Sequence, residues 1–266
     1  MTRPLALALI LWSMAGLAGV SAAEPLAAVL EKVRGKVTES GSGTAITTLN
    51  TGDFVYPGRA VTVSRLSVAM YKIGQQFVLK QAPHSTMSFS GISRPPRAPN
   101  GYPICEVQIN LTTGDLYSAL KPPRQTQLDY RITTSRIEAI AHNAVFRVTH
   151  SFSTSIVYVM SGEVEVLYCY LNKRTIVHPG EAFTVTDCDG YVRWQTEEES
   201  RDMTLFAALT DAGFNTQYAM LALTRAGLDP QIPVNFPLGS TLSSSSTTPT
   251  GVLGPTVPPN LPVVSP

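Results

Sequence analysis

Residues 130–166, YRITTSRIEAIAHNAVFRVTHSFSTSIVYVMSGEVEV, decide the fold. The run is rich in β-branched and aromatic residues, with Gly and Ser where a chain turns. Val145, Phe146, Arg147 and Val148 read as one strand, and residues 155–160 as another. Ser161-Gly162 lies between two apolar runs and carries the signal of a two-residue hairpin turn. Beyond it Val164, Val166, Tyr168 and Tyr170 alternate with Glu163, Glu165, Leu167 and Cys169. That alternation predicts a strand with one apolar and one mixed face. Residues 156–160 are apolar on both faces, which places their strand in the middle of a sheet.

The same texture recurs on both sides of this run. Residues 45–49, 54–56, 60–63, 66–73, 77–79, 85–89, 105–111 and 116–120 all read as short strands. Between them fall turn signals at Asn50-Thr51-Gly52-Asp53, Pro57-Gly58, Gly74 and Thr113-Gly114-Asp115. With 19 Gly and 20 Pro in 266 residues the chain is turn-rich, as an all-β protein must be. The expected architecture is two packed sheets or a jelly-roll-like sandwich, with a short β-solenoid as the alternative. Residues 24–38 are expected to begin as a short helix before a strand. Thr62-Val63-Ser64-Arg65-Leu66 resembles Thr133-Thr134-Ser135-Arg136-Ile137, 71 residues later, which hints at an internal repeat or at chance among Thr- and Ser-rich strands.

Both ends differ from this pattern. Residues 1–23 read as a secretory signal peptide: Arg3 supplies the charge, residues 5–17 the apolar stretch, and Val20-Ser21-Ala22-Ala23 the small residues at the cut. The alternative is an uncleaved anchor, for which the apolar run is short. The β domain then occupies residues 24–200. Residues 201–228 are expected to form a partly helical extension, in which residues 204–209 are apolar and read as strand or helix, and Asn215-Thr216 cap a helix over 217–225. Residues 229–266 are Pro-, Ser- and Thr-rich without charge after Asp229, and are expected to be a disordered tail.

A net charge of +1 gives no basis for attraction to nucleic acid. Export would place Cys105, Cys169 and Cys188 in an oxidising compartment. A strand at 164–170 paired with one at 182–187, turning at His178-Pro179-Gly180, puts Cys169 opposite Cys188 for a disulfide. A rival hairpin turning at Asn172-Lys173 separates them, and the cysteines then serve as small buried hydrophobes.

Residues 90–104 hold four prolines and join the two halves as a loop, with Arg94 and Arg97 flanking Pro95-Pro96 as a candidate contact. His84, His142, His150 and His178 match no metal-ligand spacing, although His142 and His150 would share a face if all eight residues lay in one strand. No nucleophile-elbow motif, carboxylate pair or phosphate-gripping loop is present. Glu197-Glu198-Glu199 reads as a solvated turn, and Asp187, Asp189 and Gly190 as too few ligands for calcium. No catalytic residue, metal or cofactor is therefore expected.

The central stretch resembles the FecR domain family. Thr134, Ala139, Phe146, Val148, Val157, Val159, Gly162, Val164 and Val166 match its pattern of a strand ending in Thr, a short run, a buried Phe and a hairpin. Pro179-Gly180-Glu181 fits its closing turn, and Gly52-Asp53 with Ser67-Val68-Ala69 its first half, so the resemblance spans about residues 26–187. His142-Asn143-Ala144 stands where the family has Arg-Gly-Thr, and Asn143 is expected to keep the left-handed turn there. The resemblance implies a non-enzymatic, periplasmic or extracellular module of the cell envelope. Its partner would be an envelope protein or a surface polysaccharide such as peptidoglycan, in signalling or envelope organisation. The family's cytoplasmic regulatory part is not matched here, so that role is not carried over. The alternative is a cupin-like or lectin-like carbohydrate-binding module, for which Tyr56, Tyr71 and Trp194 would have to meet in a cleft.

Overall fold

The computed structural model describes residues 24–213 except 26, 42, 44, 75–76, 95–103 and 123–126. The signal-peptide segment, Arg97, the 217–225 helix and the 229–266 tail lie outside the described residues. Among the described residues the fold is all-β with one helix at its C-terminal side.

Everything is arranged around one strand. β10 (Ile104–Leu120) is 17 residues long and belongs to two sheets. Its first part lies in sheet A, between β9 (Thr86–Arg94) and β11 (Gln127–Thr133). Its second part lies in sheet B, between β8 (Phe77–Gln81) and β13 (Ala144–His150). The turn expected at residues 113–115 is not a turn. Gly114, at φ 93°, bends the strand from one sheet into the other.

On the N-terminal side, sheet A continues from β9 through β6 (Ala60–Val63) and β3 (Val37–Ser40) to β4 (Thr47–Leu49). β1 (Glu24–Pro25) also pairs with the far end of β9, where Arg94 sits opposite Glu24. Thus residues 90–94 are strand rather than loop. Sheet B continues from β8 through β7 (Val68–Ile73) and β2 (Ala28–Arg34) to β5 (Phe54–Val55). The short helix expected near residue 24 is replaced by β2, whose Ala28 and Leu30 face the core.

On the C-terminal side the chain lays hairpins alternately in the two sheets. β11 pairs with β12 (Ile137–Ala141) in A, and β13 with β14 (Thr154–Gly162) in B. β15 (Val164–Tyr168) then pairs with β16 (Lys173–Val177) in A, and β17 (Glu181–Thr186) with β18 (Asp189–Trp194) in B. Each new hairpin adds beside the last, β12 to β15 and β14 to β17. Ser161-Gly162 is therefore not a hairpin turn: β14 and β15 lie in different sheets. The two copies of the apparent repeat also diverge. After Ser64-Arg65 the chain leaves for sheet B, whereas after Ser135-Arg136 it turns back within sheet A.

Inward-facing residues of both sheets make one core, in which Val37, Val61, Leu79, Ile109, Ile132, Val148, Val159 and Val166 are fully enclosed. Three edge-to-face aromatic pairs span it from sheet to sheet: Tyr71–Phe89 at 6.0 Å, Tyr130–Phe146 at 6.0 Å and Tyr168–Phe183 at 5.1 Å. Each is worth about 0.5–1.5 kcal/mol beyond its buried area. Both buried hydroxyls are satisfied: Tyr71 donates to Gln81 Oε1, and Tyr130 shares a hydrogen bond with Ser118.

The outer face of sheet B is covered by α1 (Glu197–Asp211), which buries Met203, Leu205, Phe206 and Leu209 against Val68, Met70, Tyr117, Ala119 and Val145. The solvated turn expected at residues 197–199 is instead the helix's first turn. Thr196 and Glu199 form a capping box, and the carboxylates of Glu197, Glu198 and Glu199 suit the helix's positive end. Arg193 grips Glu199 through two hydrogen bonds of 2.7 and 2.6 Å. Arg147 reaches both Asp115 and Asp202, and Tyr117 donates to Asp202. Lys80, buried over the Tyr117 ring at 4.0 Å, has its pKa pulled down to about 8 by desolvation. No helix among the described residues is long and apolar enough to cross a membrane.

Where the chain passes from sheet to sheet, neighbouring crossings touch. A Cβ at Gly162 would lie 2.1 Å from the Asn143 carbonyl oxygen, and one at Gly114 2.5 Å from the Ser85 Cα. Asn143 does not adopt the left-handed conformation expected of it; Gly162, at φ 74°, does. Gly162→Ala is expected to cost about 2–4 kcal/mol, from left-handed strain plus the clash with backbone. Chemical unfolding would measure it.

Candidate functional site: four stitched turns at one end of the sandwich

The alternating hairpins bring four turns to one end of the C-terminal half. They are residues 134–136, 151–153, 169–172 and 187–188, two from each sheet. Side chains tie each turn to its neighbours across the gap between sheets.

Thr134 holds the first turn: its Oγ1 accepts from the backbone N–H of Arg136 and of Ile137, both at 3.1 Å. The same hydroxyl meets Ser155 Oγ at 3.0 Å, in sheet B. His150, buried at the end of β13, sits between two hydroxyls: Ser155 Oγ lies 2.9 Å from Nδ1 and Ser135 Oγ 3.2 Å from Nε2. Burial, and secondarily the Arg136 charge, hold its pKa below the usual histidine value. Arg136 spans to Asp187 at 2.8 Å.

The third and fourth turns are joined covalently: Cys169 and Cys188 form a disulfide. The pairing invoked above for that bond does not exist. β15 pairs with β16, the hairpin expected to keep the cysteines apart, because β15 and β17 lie in different sheets. The disulfide joins not cross-strand partners but the ends of two stacked hairpins. Lys173 Nζ adds a hydrogen bond to the Cys188 carbonyl at 3.1 Å. Cys105 is buried on β10 and takes no part in that bond.

On this braced frame stand three apolar side chains. Phe152 is 98% exposed, Tyr170 91% and Leu171 56%. Single exposed apolar residues are ordinary; three on two turns at one end of the fold are not. The backbone reinforces the point. Cys169, Tyr170 and Leu171 all have positive φ, 52°, 57° and 66°, a conformation costing roughly 1–2 kcal/mol per L-residue. The disulfide and the Asn172 N–H to Cys169 carbonyl bond hold this run in place with Tyr170 and Leu171 exposed.

The other sequence candidates do not converge here. Arg94 ends β9, far along sheet A, and Arg97 lies outside the described residues. His150 ends β13 while His142 lies in the bend before that strand, its Nδ1 2.6 Å from the Leu128 carbonyl oxygen. His178 pairs with Glu163 at 3.2 Å. Among the described residues no three His, Cys, Asp or Glu side chains gather as a metal site. The aromatic cleft required by a carbohydrate module is not formed: Tyr71 is enclosed in the core, while Tyr56 follows the outermost strand on the opposite side of sheet B from Trp194. Sequence reasoning missed Phe152 and Tyr170. The available signal was a large aromatic at the tip of a tight turn, where no strand pattern needs one.

Replacing Cys169 and Cys188 with Ser is expected to lower stability by about 3 kcal/mol, from released loop entropy. Urea unfolding of the double variant would show it. Acidification gives a separate signature. Because folding lowers the His150 pKa, the unfolded chain binds more protons as pH falls below 6.5, so stability declines there. A His150→Gln variant should lose that component of the pH dependence while the rest of the profile persists.

No family model and no curated protein matches the chain. Among solved structures it is similar to two of putative anti-sigma factors from Parabacteroides distasonis. One aligns at a TM-score of 0.41 and 14% identity, covering 55% of this chain and 63% of that one. The other aligns at 0.40 and 16%, covering 67% and 82%. The chain thus spans less than two thirds of the first of these proteins.

Proposed function

We propose that this chain is an exported, non-catalytic module of FecR type that binds a protein of the cell envelope through the four stitched turns. One observation carries the reading: Phe152, Tyr170 and Leu171 are held outward on a rigid frame of disulfide, ion pair and hydroxyl bonds. Exposed aromatics are costly to keep in water and valuable in an interface. Fixed before contact, they lose little entropy on binding, which is how a few residues come to dominate an affinity. Loops gathered at one end of a β-sandwich are a recurring recognition surface.

Export is supported by the disulfide, which persists in oxidising compartments, and by the signal-like pattern of residues 1–23. A non-enzymatic role is supported by the use made of the buried polar groups. Gln81, Ser85, Ser118, His150 and Ser155 are each engaged in bonds that hold strands or turns together. The FecR resemblance gains support from its own residues. Ala139, Phe146, Val148, Val157, Val159, Val164 and Val166 all point into the core, Thr134 caps a turn, and Gly162 takes a corner.

The test is capture from envelope extracts by the tagged, exported chain, with peptidoglycan and soluble glycans assayed alongside. Phe152→Ala with Tyr170→Ala should weaken retention of a specific protein on the order of 100-fold, two exposed hot-spot side chains being removed. Thermal unfolding should be unchanged, since neither ring packs in the core. Saturable glycan binding that the double variant leaves intact, with no protein lost, would overturn the proposal.

A further inference from the structure

The two sheets end, on the C-terminal side, in β16 and β18. An outermost strand offers unpaired backbone groups to any other strand, and proteins usually blunt it. Three of the outermost strands are blunted. β4 and β5 are three and two residues long, and β16 opens with Lys173-Arg174. β18 is less blunted: its two charges, Asp189 and Arg193, are of opposite sign and lie on the α1 face, where Arg193 is paired with Glu199. The strand is six residues long, pairs among the described residues with β17 alone, and contains no Pro or Lys and no register shift. It also leaves Tyr191 57%, Val192 45% and Trp194 75% exposed.

The backbone phase of this edge is fixed. Gln195 N–H donates to the Gly180 carbonyl at 2.9 Å, in register with the β17–β18 ladder. By the alternation of an antiparallel pair, Asp189, Tyr191 and Arg193 direct their N–H and C=O groups toward β17. Gly190 and Val192 direct theirs outward. Side chains alternate separately: Asp189, Tyr191 and Arg193 share the face of sheet B that carries α1, where Arg193 meets Glu199.

We propose that two copies of this chain associate through β18, antiparallel and edge to edge, about a two-fold axis at Tyr191. In this register Gly190 of each copy faces Val192 of the other, which satisfies the outward N–H and C=O groups of both residues. Tyr191 faces its own counterpart across the close, non-hydrogen-bonded position. Asp189 faces Arg193, so opposite charges meet on both sides of the axis. A contact that repeats itself through a two-fold is closed and stops at two copies. The two B sheets then run on as one, and the exposed flank of Val192 and Trp194 is covered. The stitched turns take no part in the pairing backbone, so this association and partner binding are separable.

Sedimentation of the full exported chain, over roughly a hundredfold range of concentration, should show a reversible shift from one to two chain masses. Val192→Pro removes an N–H that β17 does not use, so the shift should vanish while the thermal unfolding midpoint is retained. Tyr191→Cys should form an intermolecular disulfide on mild oxidation, because counterparts at that position lie within bridging distance. Phe54→Cys, equally exposed on β5, should not. A single chain mass at every concentration, or a dimer that survives Val192→Pro, would overturn the proposal. Should the proline variant unfold, the cysteine pair decides alone: absence of the Tyr191→Cys dimer, or equal yield from Phe54→Cys, refutes it.

Discussion

The structure depends on how a chain changes sheet. Two packed sheets lie about 10 Å apart, and this chain crosses between them after nearly every hairpin. Each crossing must run beside an earlier one, because successive hairpins are laid next to each other. Backbone then meets backbone with no room for a side chain. Gly162 against Asn143, Gly114 against Ser85, and Gly35 against Ser67 are three solutions of the same steric problem. The glycine goes where both the left-handed turn and the close approach fall on one residue. Ser67 and Ser85 answer from the other side: Ser67 Oγ accepts from Lys36 N–H at 2.8 Å, and Ser85 Oγ from Asp115 N–H at 3.1 Å. The crossings are thus hydrogen-bonded to one another as well as tightly fitted.

This geometry explains what the sequence made legible and what it hid. The strands were legible because burial on one face imposes alternation, as in Val164 and Val166, and burial on both faces erases it, as in residues 156–160. Their partners were not legible. Ser161-Gly162 has the composition of a hairpin turn, yet a sheet-to-sheet corner needs the same positive φ and the same small residue. Thr113-Gly114-Asp115 misled in the same way, because a bent strand and a turn both need glycine. Local sequence specifies the backbone conformation of a turn. It does not specify which sheet receives the next strand, since that is decided by packing far along the chain.

The helix shows the converse. Thr196 and Glu199 carry a capping box three residues apart, and Met203, Phe206 and Leu209 recur at helical spacing. Both signals were local and sufficient, but the acidic run at residues 197–199 masked them as solvated surface. Its charges are placed by the helix dipole and by Arg193, a residue on β18 that no sequence pattern connects to the helix. The candidate binding surface was hidden for the same reason as the strand partners. Cys169, Arg136, His150 and Phe152 belong to three different turns, and only the alternation of hairpins between sheets brings them to one end.

That alternation also separates rigidity from exposure. Within a single hairpin, a tip that projects an aromatic ring into water is held only by its own two strands and frays readily. Here each tip is fastened to a tip of the other sheet, by a disulfide at Cys169–Cys188, an ion pair at Arg136–Asp187 and shared hydroxyls at Thr134–Ser155. The fastenings run perpendicular to the strands, in the direction the ladders cannot brace. Left-handed strain at residues 169–171 can therefore persist, because relaxing it would require moving a hairpin of the opposite sheet. A surface built this way presents its apolar groups without depending on them for stability, so its side chains are free to be chosen by what they touch.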